Sequence, residues 1–311
     1  MTIWHLQNNN GNTCRIIHGD SREILKKFQS QADLIMTSPP YADARKGLYD
    51  SINPDDYAVW FSGFHSVFWN VLKSSGSLVI NVKDKVVDGV RHRYVWETIQ
   101  NLNTLGWQSI DDYVWHKSKS MPGRWPTRLR DAWEYIFHLS KIKNPYFNQD
   151  EVMVPISPAT KIKVDNITDD YICEASKTGS GFMRDLRAWK DKKWVAPTNV
   201  LYLSPETHNR KHPAVYPVGL PMFFIKLLSK FNDLVIDPFS GSGSTGVAAL
   251  RAGRNCILID NKYEYCLVAK ERIEKECKEI SDRKNKGYCT LNNFARPIAK
   301  SSLEPLHSVL I

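Results

Sequence analysis

One short segment, Thr37-Ser38-Pro39-Pro40-Tyr41, combines residue types that could do chemistry where an apolar, strand-like run ends. The two prolines fix φ and donate no backbone hydrogen bond, so they would hold the neighbouring groups in place. Ser38 Oγ and the Pro39 carbonyl could accept hydrogen bonds, and the Tyr41 ring could stack on an aromatic partner. A Pro-Pro pair also ends many strands in a simple turn, and this segment alone does not decide between the two.

A glycine-rich turn follows a second apolar run in the stretch LVIDPFSGSGSTGVAAL. Gly241, Gly243 and Gly246 have the GxGxxG spacing of dinucleotide sites, and Asp260 follows about 20 residues later. NAD fits poorly, because Asp237 at the strand end would repel a pyrophosphate at the helix N-terminus. The ammonium and sulfonium of S-adenosylmethionine would suit Asp237, and its ribose diol would suit Asp260.

Three more residues belong to the predicted cofactor site. Ser244 and Thr245, with nearby backbone amides, would bind the carboxylate of the ligand at the start of the helix. Asp20, in the stretch HGDS, could accept a hydrogen bond from the adenine amino group. We expect a side chain at Gly243 to obstruct the ligand while the protein stays folded. The alternative is that the glycine-rich turn is only a tight connection from strand to helix and binds no ligand.

The composition favours a globular intracellular protein with a polyanionic partner. The chain has 311 residues, 42% of them hydrophobic, and a formal net charge of +9, which favours nucleic acid. None of the six cysteines forms a CxxC pair, so we expect no metal site and reduced thiols. There is no signal-peptide pattern and no apolar stretch long enough to span a membrane.

Seven apolar runs are the candidate strands, and helical patterns lie between several of them. This alternation predicts an α/β fold with a parallel sheet covered by helices on both faces. The runs are CRIIHGD, DLIMTSPP, GSLVINV, DDYVWHK, EYIFHLSK, LVIDPF and NCILID.

Residues 143–211 interrupt the alternation with basic residues, aromatic residues and turn formers. We expect a DNA-binding role for Arg184, Arg187 and Lys190 in this region. The predicted organisation is therefore a first part at 1–142, an inserted smaller region at 143–211, a second part at 212–282 and a tail at 283–311.

Taken together, TSPPY and DPFSGSGSTG resemble the SPPY catalytic motif and the FxGxG cofactor motif of the DNA amino-methyltransferases. The order is the permuted one, in which the catalytic half precedes the cofactor turn. The resemblance thus implies a catalytic half at 1–142, a target-recognition region at 143–211 and a cofactor-binding half at 212–282. The resemblance implies a Rossmann-like S-adenosylmethionine-dependent fold, with a mostly parallel seven-stranded sheet and an inserted target-recognition region. It places Phe239 in the cofactor motif, and His212, in HPAVYPVGLP, beside the cofactor. For His212 we favour a structural role over that of a ligand or base.

The resemblance also implies how the catalytic turn would work. An exocyclic amino nitrogen is a poor nucleophile while its lone pair is delocalised into the ring. Ser38 Oγ and the Pro39 carbonyl would accept its two hydrogens, with Pro40 holding the turn, and Tyr41 would stack on a base flipped out of double-stranded DNA.

Serine before Pro-Pro-Tyr is associated in the family mainly with cytosine, so we expect methylation at N4 of cytosine, with N6 of adenine as the alternative. An NAD-dependent oxidoreductase and a non-catalytic DNA-binding module are the rivals from other classes. The resemblance leaves open whether a companion restriction endonuclease exists.

Overall fold

The structure is a computed structural model that describes residues 2–42, 52–119, 123–168, 186–206 and 216–285. Arg184 and His212 lie outside the described residues, so their predicted roles stay predictions.

Elements are numbered in chain order over the described ranges. The strands are β1 (Ile3–Gln7), β2 (Thr13–His18), β3 (Ala32–Thr37), β4 (Leu72–Val82), β5 (Lys85–Val87), β6 (Val90–His92), β7 (Gln108–Lys117), β8 (Trp133–Ser140), β9 (Val154–Pro155), β10 (Trp194–Val195), β11 (Val200–Leu203), β12 (Leu234–Asp237) and β13 (Asn255–Asp260). The α-helices are α1 (Ser21–Leu25), α2 (Pro54–Ser62), α3 (His65–Val71), α4 (Tyr94–Thr104), α5 (Pro158–Asp165), α6 (Gly219–Leu228), α7 (Ser244–Arg251) and α8 (Tyr263–Asn285). Two short 3₁₀ helices are at Gln149–Val152 and Leu186–Trp189.

Within the described residues, nine strands form the main sheet in the order β1-β2-β13-β12-β3-β4-β8-β7-β11. β1 and β8 are antiparallel to their neighbours, and the other seven strands share one direction. The predicted α/β fold with a mostly parallel sheet is therefore confirmed.

Each of the seven predicted runs is a strand, and β1 and β11 extend the sheet at its two edges. The sheet therefore has nine described strands rather than seven. Both additions have weak sequence signals. β1 has no fully buried residue, and β11 has only four residues within a region that lacks clear alternation.

The alternation of β3 shows how the sheet separates two apolar layers. Leu34 and Met36 pack on one face with residues of α6, α7 and α8, such as Phe224. Ile35 points to the other face, where residues of α1 to α4 such as Phe61 cover the sheet. A strand buried on both faces needs a continuous apolar sequence, as this run has.

The predicted target-recognition region is described over 143–168 and 186–206. It contains α5, the two 3₁₀ helices and the antiparallel pair β9-β10. β11 then joins the edge of the main sheet, where Val200 pairs with Val114 of β7. The domain boundaries proposed from the sequence stay predictions.

Over the described ranges, no helix combines the length and the apolar character that a membrane span requires. Within the same ranges, no group of three or more His, Cys, Asp or Glu side chains is arranged to hold a metal ion.

Candidate active site

The sheet brings the Ser38-to-Tyr41 turn against the ends of two neighbouring strands. The turn follows β3, which lies beside β4, and β4 lies beside β8. Because β8 is antiparallel, its first residues lie at the same edge where β3 and β4 end. Asn81 near the end of β4 and Glu134 near the start of β8 therefore lie close to Ser38 and Tyr41.

These four side chains form one hydrogen-bonded network. The Tyr41 hydroxyl donates to Glu134 Oε2 at 2.6 Å, and its oxygen lies 3.3 Å from Ser38 Oγ. Since the single Tyr41 hydroxyl hydrogen is directed at Glu134, Ser38 is the donor to Tyr41. Asn81 Nδ2 lies 2.9 Å from the Tyr41 hydroxyl, 2.9 Å from Glu134 Oε2 and 3.3 Å from Ser38 Oγ. A directed chain thus runs from Ser38 through Tyr41 to a carboxylate.

The carboxylate at the end of this chain is buried and paired. Glu134 is 5% exposed, and its Oε1 accepts from Lys117 Nζ at 2.5 Å. The same ammonium lies 4.9 Å from the centre of the Trp115 ring. Burial, and secondarily the charge of Glu134, raise the pKa of Tyr41 well above its ordinary value. Tyr41 is therefore a stable hydroxyl donor at neutral pH.

Sequence reasoning identified Ser38 and Tyr41 but not Asn81, Lys117 or Glu134. Each missed residue is a polar group near one end of a correctly predicted strand, at the edge where ligands bind in open α/β sheets. A polar residue at this edge of the sheet is the sequence signal that could have identified them. The predicted stacking of Tyr41 on a base stays a prediction, and the structure fixes its hydroxyl end.

Asp237, at the end of β12, is fully buried and surrounded by hydrogen-bond donors. It accepts from Thr37 Oγ1 at 2.9 Å, Thr245 Oγ1 at 2.5 Å, the Tyr216 hydroxyl at 2.9 Å and the Phe239 backbone N–H at 3.1 Å. Burial raises its pKa, and these hydrogen bonds act in the opposite direction. For Asp237 to contact a ligand cation, as the sequence predicts, one of these four donors would have to leave the carboxylate. The observed contacts join β3, β12 and α7.

The second acid of the predicted cofactor site, Asp260, ends β13. Its Oδ2 accepts from the Gly241 backbone N–H at 2.9 Å, and its Oδ1 accepts from the Lys262 backbone N–H at 2.9 Å. The residue is 9% exposed, and burial raises its pKa to about 6. Asp260 therefore holds the glycine turn against β13 and titrates close to neutral pH.

The remaining hydroxyl groups of the turn differ in their partners. Arg272 of α8 donates to the Ser242 carbonyl at 3.0 Å, to Ser242 Oγ at 2.8 Å and to Ser244 Oγ at 3.2 Å. Ser240 Oγ, in contrast, is buried and has no hydrogen-bond partner among the described residues. One hydroxyl in the turn is thus left for a ligand or a water molecule.

Gly243 has φ +81°, which favours glycine, and it caps α7. A Cβ at this position would lie 3.0 Å from Ala269 Cβ and 3.5 Å from Leu258 Cδ1. A side chain here would therefore meet the protein core. The expectation that a side chain at Gly243 leaves the fold intact stays a prediction, and the close packing of the turn against α8 indicates a loss of stability.

We expect Gly243→Ala to lower the free energy of unfolding by about 2–4 kcal/mol, from left-handed backbone strain and overpacking against Ala269. Gly89→Ala is the matched control, because Gly89 has φ +82° and a Cβ added there would have no neighbour within 4 Å. Its free energy of unfolding should fall by only about 1 kcal/mol, from backbone strain alone. Urea unfolding of both variants measures the difference, and equal losses would contradict the packing explanation.

Asp20 and Phe239 are linked through Arg22 and Phe64. Asp20 caps α1 by accepting from the Arg22 backbone N–H at 2.8 Å, and it also accepts from the Arg22 guanidinium at 2.7 Å. Hydrogen bonding from Arg22 lowers the pKa of Asp20. The guanidinium carbon lies 5.4 Å from the Phe64 ring centre, and Phe64 lies 5.1 Å from Phe239. The predicted adenine contact of Asp20 stays a prediction.

Two of the predicted DNA-binding residues are described. Arg187 lies in the 3₁₀ helix Leu186–Trp189 and Lys190 directly follows it, and both side chains are exposed. The Lys190 carbonyl accepts from Lys161 Nζ at 2.9 Å, which attaches this turn to α5. Their role in binding DNA stays a prediction.

The fold and the two motif regions agree with comparisons that place the chain among the DNA methyltransferases. The sequence model described as DNA methylase, of the N6/N4 family, matches residues 32–271. Because this match covers most of the chain and both motif regions, the chain belongs to that family.

Particular relatives agree with this assignment. The type II methyltransferase M.PvuII of Proteus hauseri is 30% identical over 269 residues, which span 79% of this chain and 80% of that protein. The solved PvuII DNA methyltransferase (cytosine-N4-specific) superimposes with a TM-score of 0.64 at 25% identity, covering 91% of this chain and 97% of that one. The M1.HpyAVI complex with S-adenosylmethionine shares the fold at a TM-score of 0.52 and 24% identity, over 83% of this chain and 99% of that one.

Proposed function

We propose that this chain transfers a methyl group from S-adenosylmethionine to the exocyclic N4 amino nitrogen of a cytosine flipped out of double-stranded DNA. The observation that carries the proposal is the Ser38 hydroxyl, held at the head of the Ser38–Tyr41–Glu134 chain. The cytosine-N4 specificity of the PvuII neighbour supports the choice of base. Adenine N6 is the alternative, because the family model includes both chemistries.

Ser38 and Pro39 prepare the nucleophile in this proposal. By accepting the two amino hydrogens, Ser38 Oγ and the Pro39 carbonyl would hold the nitrogen with its lone pair directed away from them. The Ser38 hydroxyl donates onward to Tyr41, and Tyr41 donates to Glu134, so each hydrogen bond polarises the one before it. Ser38 Oγ is thereby a better acceptor than an isolated serine hydroxyl.

The same chain offers a route for the proton that the amino nitrogen loses. Ser38 Oγ would take that proton while its own hydroxyl proton moves to the Tyr41 oxygen. The Tyr41 proton would then move to Glu134 Oε2, 2.6 Å away. Lys117 Nζ lies 2.5 Å from Glu134 Oε1, so the other oxygen, Oε2, faces Tyr41 as the acceptor. No covalent enzyme intermediate is needed.

The glycine turn has features that fit S-adenosylmethionine. The buried, unpartnered Ser240 hydroxyl can bind a polar ligand group, and Asp260 retains some exposure beside Gly241. The cofactor would be held by Phe239, the turn from Gly241 to Thr245, Asp260 and Asp20. Asp237 would position β3, β12 and α7 through its hydrogen bonds. The bound cofactor supplies the electrophilic methyl group.

The ionisation of Asp260 makes cofactor binding dependent on pH. Its folded-state pKa of about 6 means that the carboxylate is largely protonated at pH 5 and ionised at pH 8. If the ribose diol donates to the ionised form, affinity should fall about tenfold from pH 8 to pH 5. Calorimetric titration measures this change. Asp260→Asn should bind more weakly at pH 8 and show a flat profile, whereas an unchanged slope would assign the titration to another group.

Double-stranded DNA is the proposed partner. The formal net charge of +9 favours a polyanion, and residues 143–211, including Arg187 and Lys190, are the proposed target-recognition region. The type II names of the relatives support a restriction-modification setting, in which a companion endonuclease would cut the unmodified site.

The deciding experiment is nucleoside analysis of genomic DNA methylated in vitro with labelled S-adenosylmethionine. We expect the label in N4-methylcytosine. Label in N6-methyladenine alone would overturn the choice of base and keep the class of enzyme. Absence of label in DNA would overturn the proposed activity, and stabilisation by NAD but not by S-adenosylmethionine in thermal unfolding would favour the oxidoreductase.

A further inference from the structure

Residues 123–132, here called the strap, lead into the active site but belong to no helix or strand. They end where β8 begins, and the Ala132 carbonyl accepts from the Lys117 backbone N–H at 2.7 Å. Leu129 is five residues before Glu134, so the two Cα atoms are at most about 18 Å apart. The strap therefore borders the catalytic edge of the sheet.

Ion pairs hold the strap against the β5-β6 hairpin. Asp131 accepts from Arg91 of β6 at 2.7 Å and lies 3.3 Å from Lys83 Nζ and 3.4 Å from Arg128. Arg91 also pairs with the buried carboxylate of Asp84 at 2.5 Å. A guanidinium shared by two carboxylates fixes the position of the segment better than a single exposed pair would.

This anchored segment presents apolar groups to solvent. Leu129 is 90% exposed, the largest value among the exposed large apolar residues of the described chain. Trp125 is 53% exposed, with the Arg128 guanidinium 4.3 Å from its ring centre. The strap contains the run RWPTRLRD at 124–131. Leu129 lies between Arg128 and Arg130 in this run, and Arg124 begins it. An apolar tip among arginines does not match an apolar protein surface, but it matches a duplex, in which phosphates surround stacked bases.

We propose that Leu129 is a wedge that enters the double helix and fills the space left by the flipped base. This inference rests on the proposed function. The arginines of the strap contact the phosphates on either side, while the Asp131 ion pairs keep the tip aligned with the Ser38 site. A side chain inserted between base pairs offsets the lost stacking, which makes extrusion of the target base more favourable.

The test separates base extrusion from chemistry with two versions of one duplex, built on the sequence found by mapping methylated DNA. One version is fully paired, and the other has an abasic site opposite the target base, so that the target is already unpaired. Leu129→Ala should slow methylation of the paired duplex at least tenfold and that of the abasic duplex by less than threefold. Val59→Ala is the matched control, because Val59 is an apolar residue of α2 with 73% exposure, and it should behave as wild type on both.

The outcomes distinguish the two proposals. Equal losses of rate on both duplexes, or no loss on the paired one, would overturn the wedge while the methyltransferase activity stands. Absence of methylation by the wild-type chain on both duplexes would overturn the proposed function and the wedge with it. A loss of methylation rate confined to the paired duplex supports the wedge. Leu129→Ala should bind S-adenosylmethionine with the same affinity as wild type.

Discussion

Ser38→Ala is expected to lower the rate of methyl transfer by about two to three orders of magnitude at saturating cofactor, because a positioned hydrogen-bonding group at the reacting centre is removed. The variant keeps Tyr41, Asn81 and Glu134, which can still bond one another. Folding and cofactor affinity should therefore change little. Single-turnover methylation of DNA, together with calorimetric titration of S-adenosylmethionine, measures the two effects separately.

Ser74→Ala is the control, since Ser74 is an exposed serine of β4 outside the network. It should retain wild-type activity. A Ser38→Ala rate within threefold of wild type would show that the serine hydroxyl is dispensable. A parallel loss of thermal stability would assign Ser38 a structural role instead.

Asp237→Ala is expected to lower the free energy of unfolding by about 2–4 kcal/mol, because it removes the shared acceptor of several buried donors. The Phe239 N–H and the hydroxyls of Thr37 and Tyr216 lose their common acceptor, and a small cavity remains. Cofactor binding should fall as a consequence, because the start of α7 is no longer held. Urea unfolding and a cofactor titration on the same preparation check both effects.

Asp237→Asn is the matched variant, since it keeps the size of the side chain and one carbonyl acceptor. It should lose less stability than the alanine variant. If Asp237→Ala were as stable as wild type but unable to bind cofactor, the residue would contact the ligand directly, as the sequence suggests. That result would contradict the structural role inferred from its four protein donors.

The sequence predicts the strands well because burial on both faces requires uninterrupted apolar runs. DLIMTSPP and LVIDPF give β3 and β12, and the catalytic and cofactor turns follow from their ends. The edge strand β1 is different. Its residues are never fully buried, so its pairing with β2 leaves little trace in the pattern of apolar residues.

The partners of the predicted residues are harder to foresee, because they come from distant strands. Glu134 reaches Tyr41 only because β8 runs opposite to its neighbours. The sequence places the charge of Asp237 next to the glycine turn, and it therefore predicts that Asp237 faces a ligand. The donors that surround this carboxylate cannot be identified from the sequence. Tyr216 and Thr37 meet at this carboxylate through the tertiary fold alone.

The permuted order of the chain has a consequence for its synthesis. Thr37 bonds to Asp237, 200 positions later, and Thr13 of β2 bonds to Asn255, 242 positions later. At about 5–20 residues per second, the catalytic turn leaves the ribosome some 10–40 s before the strand that completes its site. During that interval the newly made β2 and β3 lack the neighbours that lie between them in the finished sheet. The nascent protein therefore has exposed strand edges that favour misassembly, and it can modify DNA only after β12 and β13 have been made.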